Sequence, residues 1–202
     1  MNMPQTATGR RLYSLYRRLF RHFGPQHWWP ARSRFEVMVG AILTQNTAWT
    51  NVEKAIAALR GARLLNPRAI DTVPQEQLAQ RIHPAGYYNM KAERVKHFTR
   101  FLLKRYGGSV QRMFRGKRHG LREELLGISG IGEETADSIL LYAGDRPIFV
   151  VDAYTRPSPR TARTDCGRHP YSGIQRLFMT HLPVDSALFN EYHALLVAVG
   201  KT

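Results

Sequence analysis

The sequence is poor in cysteine and in acid: it has one cysteine, and 15 aspartates and glutamates stand against 30 lysines and arginines. A lone thiol, Cys166, closes no internal disulfide. Nor can it supply the four thiolates that an iron–sulfur cluster or a structural zinc site usually takes. No apolar run reaches the ~18–20 residues of a membrane span, and the opening "MNMPQTATGRR" lacks the apolar block of a secretion signal. Strand-forming runs are scarce as well, with "IFVV" the main exception. These absences lead us to expect a cytoplasmic, nearly all-α protein without a metal or cofactor.

What is present points to a polyanion. The formal net charge is +15, and 43% of the residues are hydrophobic, enough for a real core. In "GRRLYSLYRRLFRHF", Leu12, Leu15, Tyr16, Leu19, Phe20 and Phe23 recur at helical spacing, with most arginines elsewhere on the wheel. "RFEVMVGAILTQNT" is apolar nearly all round, which predicts a buried helix that Ser33 can cap. Further helices are expected from Thr50 through "NVEKAIAALRG", over "VPQEQLAQRIH" and from Lys91 to about Arg105. Others follow over "LREELLG" and "ETADSILLYAG", and two more close the chain.

The stretch "LLGISGIGEETADSILLYAGDRPIFVVDAYTR" carries the chemistry. Gly130 and Gly132 let the turn between two apolar helices tighten, and Ile131 can anchor it in the core. The second helix starts just after Gly132, so its first N–H groups are unpaired and attract anions such as phosphate. The plain alternative is an αα-hairpin whose glycines only permit a tight turn. Asp152 follows an apolar run near an expected helix start. Such a carboxylate can stay ionised and either activate water or stabilise a cationic sugar. It can equally be no more than an N-cap.

This stretch resembles the helix-hairpin-helix, Gly/Pro-rich loop and catalytic aspartate of the DNA glycosylases related to endonuclease III. "FEVMVGAILTQNTAWTNVEKAIAAL" and "GYYNMKAERV" resemble helices of the same family, so the likeness runs from about Phe35 to Arg156. It implies an all-α fold of two helical subdomains with a cleft between them. One would be central, about residues 34–135; both termini, 1–33 and 136–202, would build the other, within a single domain of 1–202.

The resemblance implies Asp152 as the catalytic carboxylate and Gln45 as the side chain that fills the base stack. Gly130, Ile131, Gly132 and Thr135 would lie on the DNA backbone, and double-stranded DNA with a damaged base would be the partner of a monomer. Glu134 stands where strand-cleaving members keep a lysine nucleophile, and a carboxylate forms no Schiff base. This departure implies a monofunctional enzyme, with Glu134 in the catalytic pocket or merely complementing the helix dipole as Glu133 would. "HWWP" resembles the type III 3-methyladenine DNA glycosylases, which makes Trp28 and Trp29 candidate walls of a pocket for a cationic alkylated base. Both could instead be core.

Two departures keep other readings open. "RPSPRTARTDCGRHPY" stands where relatives continue as a helix. It reads as a basic loop on phosphate, a solvated insertion or a local frame error. The four cluster cysteines of many relatives are also missing, as expected for a cluster-free branch or a truncated chain. The alternatives are an endonuclease III-like glycosylase and lyase acting on pyrimidines or mismatches, and a DNA-binding module without catalysis.

Overall fold

A computed structural model describes residues 5–115, 118–155 and 170–202. Among the described residues, the regular elements are all helical. They run α1 (Ala7–Phe23), α2 (Arg34–Leu43), α3 (Trp49–Gly61), α4 (Pro67–Thr72), α5 (Gln75–Arg81), a 3-10 turn (His83–Ala85) and α6 (Tyr88–Tyr106). There follow α7 (Val110–Met113), α8 (Arg118–Leu126), α9 (Glu133–Ser138), a π turn (Ile139–Ala143), α10 (Tyr171–His181) and α11 (Ser186–Gly200). No helix among the described residues is long and apolar enough to cross a membrane. The basic segment after Thr155, with Cys166, lies outside the described residues until Pro170.

The chain forms two compact units, Ala31–Ile139 and Met1–Pro30 with Leu140–Thr202. In the first, α2 is buried from Phe35 to Leu43, as its apolar composition predicts. Ser33 caps it, accepting from Glu36 N–H at 3.2 Å. The buried Glu36 carboxylate is met by Arg60 of α3 at 2.6 Å. α3 starts at Trp49 rather than Thr50, and its N-cap, Ala48, offers no side-chain bond. The short helices α4 and α7 are absent from the sequence reading, since neither is long enough to show a period. Asn66 and Ser109 cap them.

Two buried lysines of α6 finish neighbouring chain ends. Lys96 donates to the carbonyls of Ile70, Asp71 and Val73 at 3.0, 3.0 and 2.6 Å, closing the end of α4. Lys91 donates to the carbonyls of Leu43 and Ala85, both at 2.8 Å, and to Thr47 Oγ1. Burial, and then the charge of Arg94, lower the Lys91 pKa to about 8.

In the second unit, Phe149 lies at the centre of an aromatic core. It stacks on Phe178 at 4.0 Å and meets Phe189 and Tyr192 edge-on. "IFVV" is not a strand: Gln175 Nε2 donates to the Phe149 carbonyl at 2.7 Å, and the run passes buried without a ladder. A short apolar run marks burial more surely than it marks a strand. The helix expected over "ETADSILLYAG" is an α-helix only to Ser138 and then widens into the π turn. α1 keeps its amphipathic form, but Leu15 and Phe20 remain exposed. Asp185 caps α11 through the N–H groups of Ala187 and Leu188, at 2.8 and 3.1 Å.

Lys96→Met strands three carbonyls and is expected to cost about 1–3 kcal/mol of stability in urea denaturation. Arg100→Ala removes only an exposed pair with Asp71, and should stay within about 0.5 kcal/mol of the parent.

Candidate active site

The hairpin is built from α8, the turn 127–132 and α9. Gly130 takes φ +87°, a conformation that disfavours side chains, and a Cβ there would sit 2.4 Å from Arg94 Cγ. Gly132 differs: its φ is −92°, and nothing lies within 4 Å of a Cβ built on it. Neither glycine's N–H meets an acceptor among the described residues. Ile131 is buried, and its N–H already donates to the Ile128 carbonyl at 3.0 Å. It therefore anchors the turn, with its N–H already used inside the hairpin.

Thr135 lies in the first turn of α9. It is buried, and its Oγ1 accepts from Gln45 Nε2 at 2.9 Å. Gln45 Nε2 also donates to the Gly130 carbonyl at 3.0 Å. Gln45 Oε1 accepts from Arg94 Nη1. The structure thus brings Gln45, Gly130 and Thr135 together, with Arg94 as a partner that the sequence reading missed. Glu133 pairs with Arg122 at 3.4 Å, and Arg122 also binds the fully buried Asp137 at 2.7 Å. Those bonds to Asp137 raise the Arg122 pKa against its burial. Glu134 is exposed in the first turn of α9.

A second group of candidates sits in the unit formed by the chain ends. Asp152 folds the turn that follows it among the described residues. Its Oδ1 accepts from the N–H groups of Tyr154 and Thr155, at 2.9 and 2.8 Å, and from Thr155 Oγ1 at 2.9 Å. The side chain is only 13% exposed, and His193 Nε2 lies 3.3 Å from Oδ2. Burial pushes the carboxyl pKa up. His193 and the Thr155 donors outweigh it and bring the value down to about 2.

His193, on α11, is buried, and its Nδ1 is hydrogen-bonded to Tyr142 OH. Tyr142 packs on Trp29 with ring centroids 5.2 Å apart, and Trp29 meets Trp28 at 5.3 Å. Lys201 Nζ stands 5.9 Å from the Trp28 ring centroid. Both tryptophans are half-buried. The sequence reading missed His193 and Tyr142. The available signal was a histidine within a mostly apolar helix.

An all-helical set of described elements, with this hairpin and a largely enclosed aspartate beyond it, defines a class, and comparison with known proteins agrees. Residues 39–182 match the model of the HhH-GPD superfamily of base excision DNA repair proteins. The chain belongs to that superfamily, a DNA glycosylase family of base excision repair. It is 46% identical over 188 residues to MJ1434 of Methanocaldococcus jannaschii, provisionally named a DNA repair glycosylase, covering 92% of this chain and 85% of that one. With endonuclease III of Thermotoga maritima it shares 32% identity over 120 residues, 59% of this chain and 52% of the relative. Its structure is similar to that of the H. pylori 3-methyladenine DNA glycosylase MagIII bound to 1,N6-ethenoadenine. The TM-score is 0.82 at 27% identity, covering 97% of this chain and 98% of that one.

The two glycines are expected to respond differently to substitution. Gly130→Ala must leave a left-handed conformation or displace Arg94, at a cost of about 1 kcal/mol or more. Gly132→Ser fits the space and can cap α9, so thermal unfolding should show equal or higher stability.

Proposed function

We propose that this protein is a monofunctional DNA glycosylase that hydrolyses the N-glycosidic bond of an alkylated base such as 3-methyladenine in double-stranded DNA, acting as a monomer. The observation that carries the reading is Asp152, a carboxylate only 13% exposed yet held at a pKa of about 2. A buried negative charge acts through a weakly screening medium, so it favours the positive charge that develops on the sugar as the base departs. Water then adds to the sugar, and the carboxylate can take its proton. Oδ1 is occupied by the Tyr154 and Thr155 donors, which leaves Oδ2 for this work.

Glu134 supports the monofunctional reading. With a carboxylate at this position there is no amine to attack the sugar carbon, so no Schiff base forms and the strand stays intact. Trp28 and Trp29 support an alkylated, cationic base, because such rings are attracted to indole faces. Backbone N–H groups of Gly130 and Gly132 would hold phosphate, and Gln45 would fill the stack after base extraction. Many relatives carry an iron–sulfur cluster, but one cysteine does not fit its four-thiolate requirement. Hydrolysis by carboxylate and water needs no cofactor.

A second reading, glycosylase with lyase activity, requires an amine other than at residue 134. Lys201, 5.9 Å from the Trp28 ring, is the amine beside the candidate aromatics.

Both readings meet one experiment: methylated, oxidised and mismatched duplexes are incubated with protein, and free base and strand nicks are scored separately. We expect release of free base from methylated duplex without nicking. Asp152→Asn should lose on the order of 10²–10⁴-fold of that rate. A protein–DNA adduct trapped by borohydride would sink the monofunctional assignment, and loss of the adduct in Lys201→Ala would establish the second.

A further inference from the structure

Burying a histidine is costly unless both ring nitrogens have a use. His193 is 5% exposed. Its Nδ1 is bonded to Tyr142 OH, while Nε2 stands 3.3 Å from Asp152 Oδ2. At that distance Nε2 still lacks an aligned hydrogen bond among the described residues. The titratable groups facing the ring are thus Asp152, from the loop before the 153–155 turn, and Tyr142, from the π turn.

Proton placement follows from the partners. If Nδ1 carried the hydrogen, the Nε2 lone pair would confront a carboxylate oxygen and the two would repel. If Tyr142 O–H donates to Nδ1, the hydrogen stands on Nε2 and points toward Oδ2, which is attractive. Oδ1 is already held by three donors of the 153–155 turn. Rotation of the carboxylate is therefore resisted at one oxygen by the turn and at the other by the imidazole.

We propose that His193, kept in its Nε2–H form by Tyr142, is a positioning residue that aims Asp152 Oδ2 at the reacting sugar. The assignment rests on Asp152 being the catalytic carboxylate. It extends to the aromatic wall, since Tyr142 packs against Trp29 at 5.2 Å. The sequence Trp29, Tyr142, His193, Asp152 is a continuous line of contacts. Whatever seats against Trp29 therefore bears on the ring that holds the imidazole tautomer. The missing alignment at Nε2 fits this role: a strong, straight bond would quench the charge that the sugar needs, whereas an oblique N–H orients the carboxylate and leaves it available.

The test uses the full chain with Asp152→Asn, His193→Ala, His193→Gln and Tyr142→Phe, on duplex DNA methylated with dimethyl sulfate. Free base is measured under single-turnover and steady-state conditions. His193→Ala should lower kcat by roughly 10–100-fold with little change in KM, as expected for a misaimed group. His193→Gln, which returns an N–H near the Nε2 position, should recover most of the loss. In His193→Ala, burial acts on Asp152 without its main opponent, so its pKa rises and activity should fail at a higher pH on the acid side. In His193→Gln that limb should stay close to the parent's.

A wild-type kcat and acid limb in folded His193→Ala, with Asp152→Asn inactive, would overturn the positioning role. An active Asp152→Asn, or no base release by the parent, would instead overturn the function on which it rests. Where His193→Ala fails to fold, ¹⁵N spectra of the imidazole in the free parent decide. An Nε2–H tautomer that is lost in Tyr142→Phe supports the inference, and an Nδ1–H tautomer or a doubly protonated ring refutes it.

Discussion

Short helices expose many backbone groups at their ends, and in the 31–139 unit two lysine ammonium groups carry much of that demand. Lys96 holds three carbonyls at the end of α4. Lys91 joins the Leu43 and Ala85 carbonyls to the Thr47 hydroxyl. The second set matters most, because Gln45 lies between Leu43 and Thr47. A charged group with several acceptors makes stronger bonds than a neutral donor, which offsets the cost of burying it. The segment carrying Gln45 is thus fixed from within the unit before any DNA is met.

The chain-end unit faces the opposite problem, a buried negative charge. Asp152 obtains its donors from its own following turn, and a distant histidine stands 3.3 Å from its other oxygen. Its low pKa therefore does not depend on the +15 net charge, whose long-range field salt would screen. Local donors hold the carboxylate ionised in any ionic strength at which the turn is folded. The high positive charge is left to act on DNA at long range, and there salt weakens it.

Much of this was legible in sequence, and the failures have physical causes. Nine consecutive buried residues in α2, Phe35–Leu43, follow from a run almost without polar groups, and the Ser33 cap follows from its position. The glycine turn and Asp152 stood out because their residue types are unusual among apolar neighbours. Lys91 and Lys96 did not, since lysine ordinarily marks a surface, and only tertiary acceptors make burial tolerable. The bonds of Thr135 and Gln45 were hidden for a related reason: they join residues far apart along the chain. His193 and Asp152 are far apart along the chain, and no local period links them.

Gln45 presents the remaining constraint. In the free protein its amide donates to the Gly130 carbonyl and Thr135 Oγ1, and its oxygen accepts from Arg94. In the proposed role the side chain enters the base stack, so these bonds must be exchanged for bonds to DNA. Net values of about 1 kcal/mol per hydrogen bond make the release cost a few kcal/mol, similar to the cost of extracting a base. Arg94 eases the exchange, since it fills the space beside Gly130 and its guanidinium, once parted from Gln45, suits a phosphate. A damaged base that leaves the stack cheaply lowers the sum of the two costs. The release cost of Gln45 is common to damaged and intact sites, so discrimination between them rests on the cost of extracting the base.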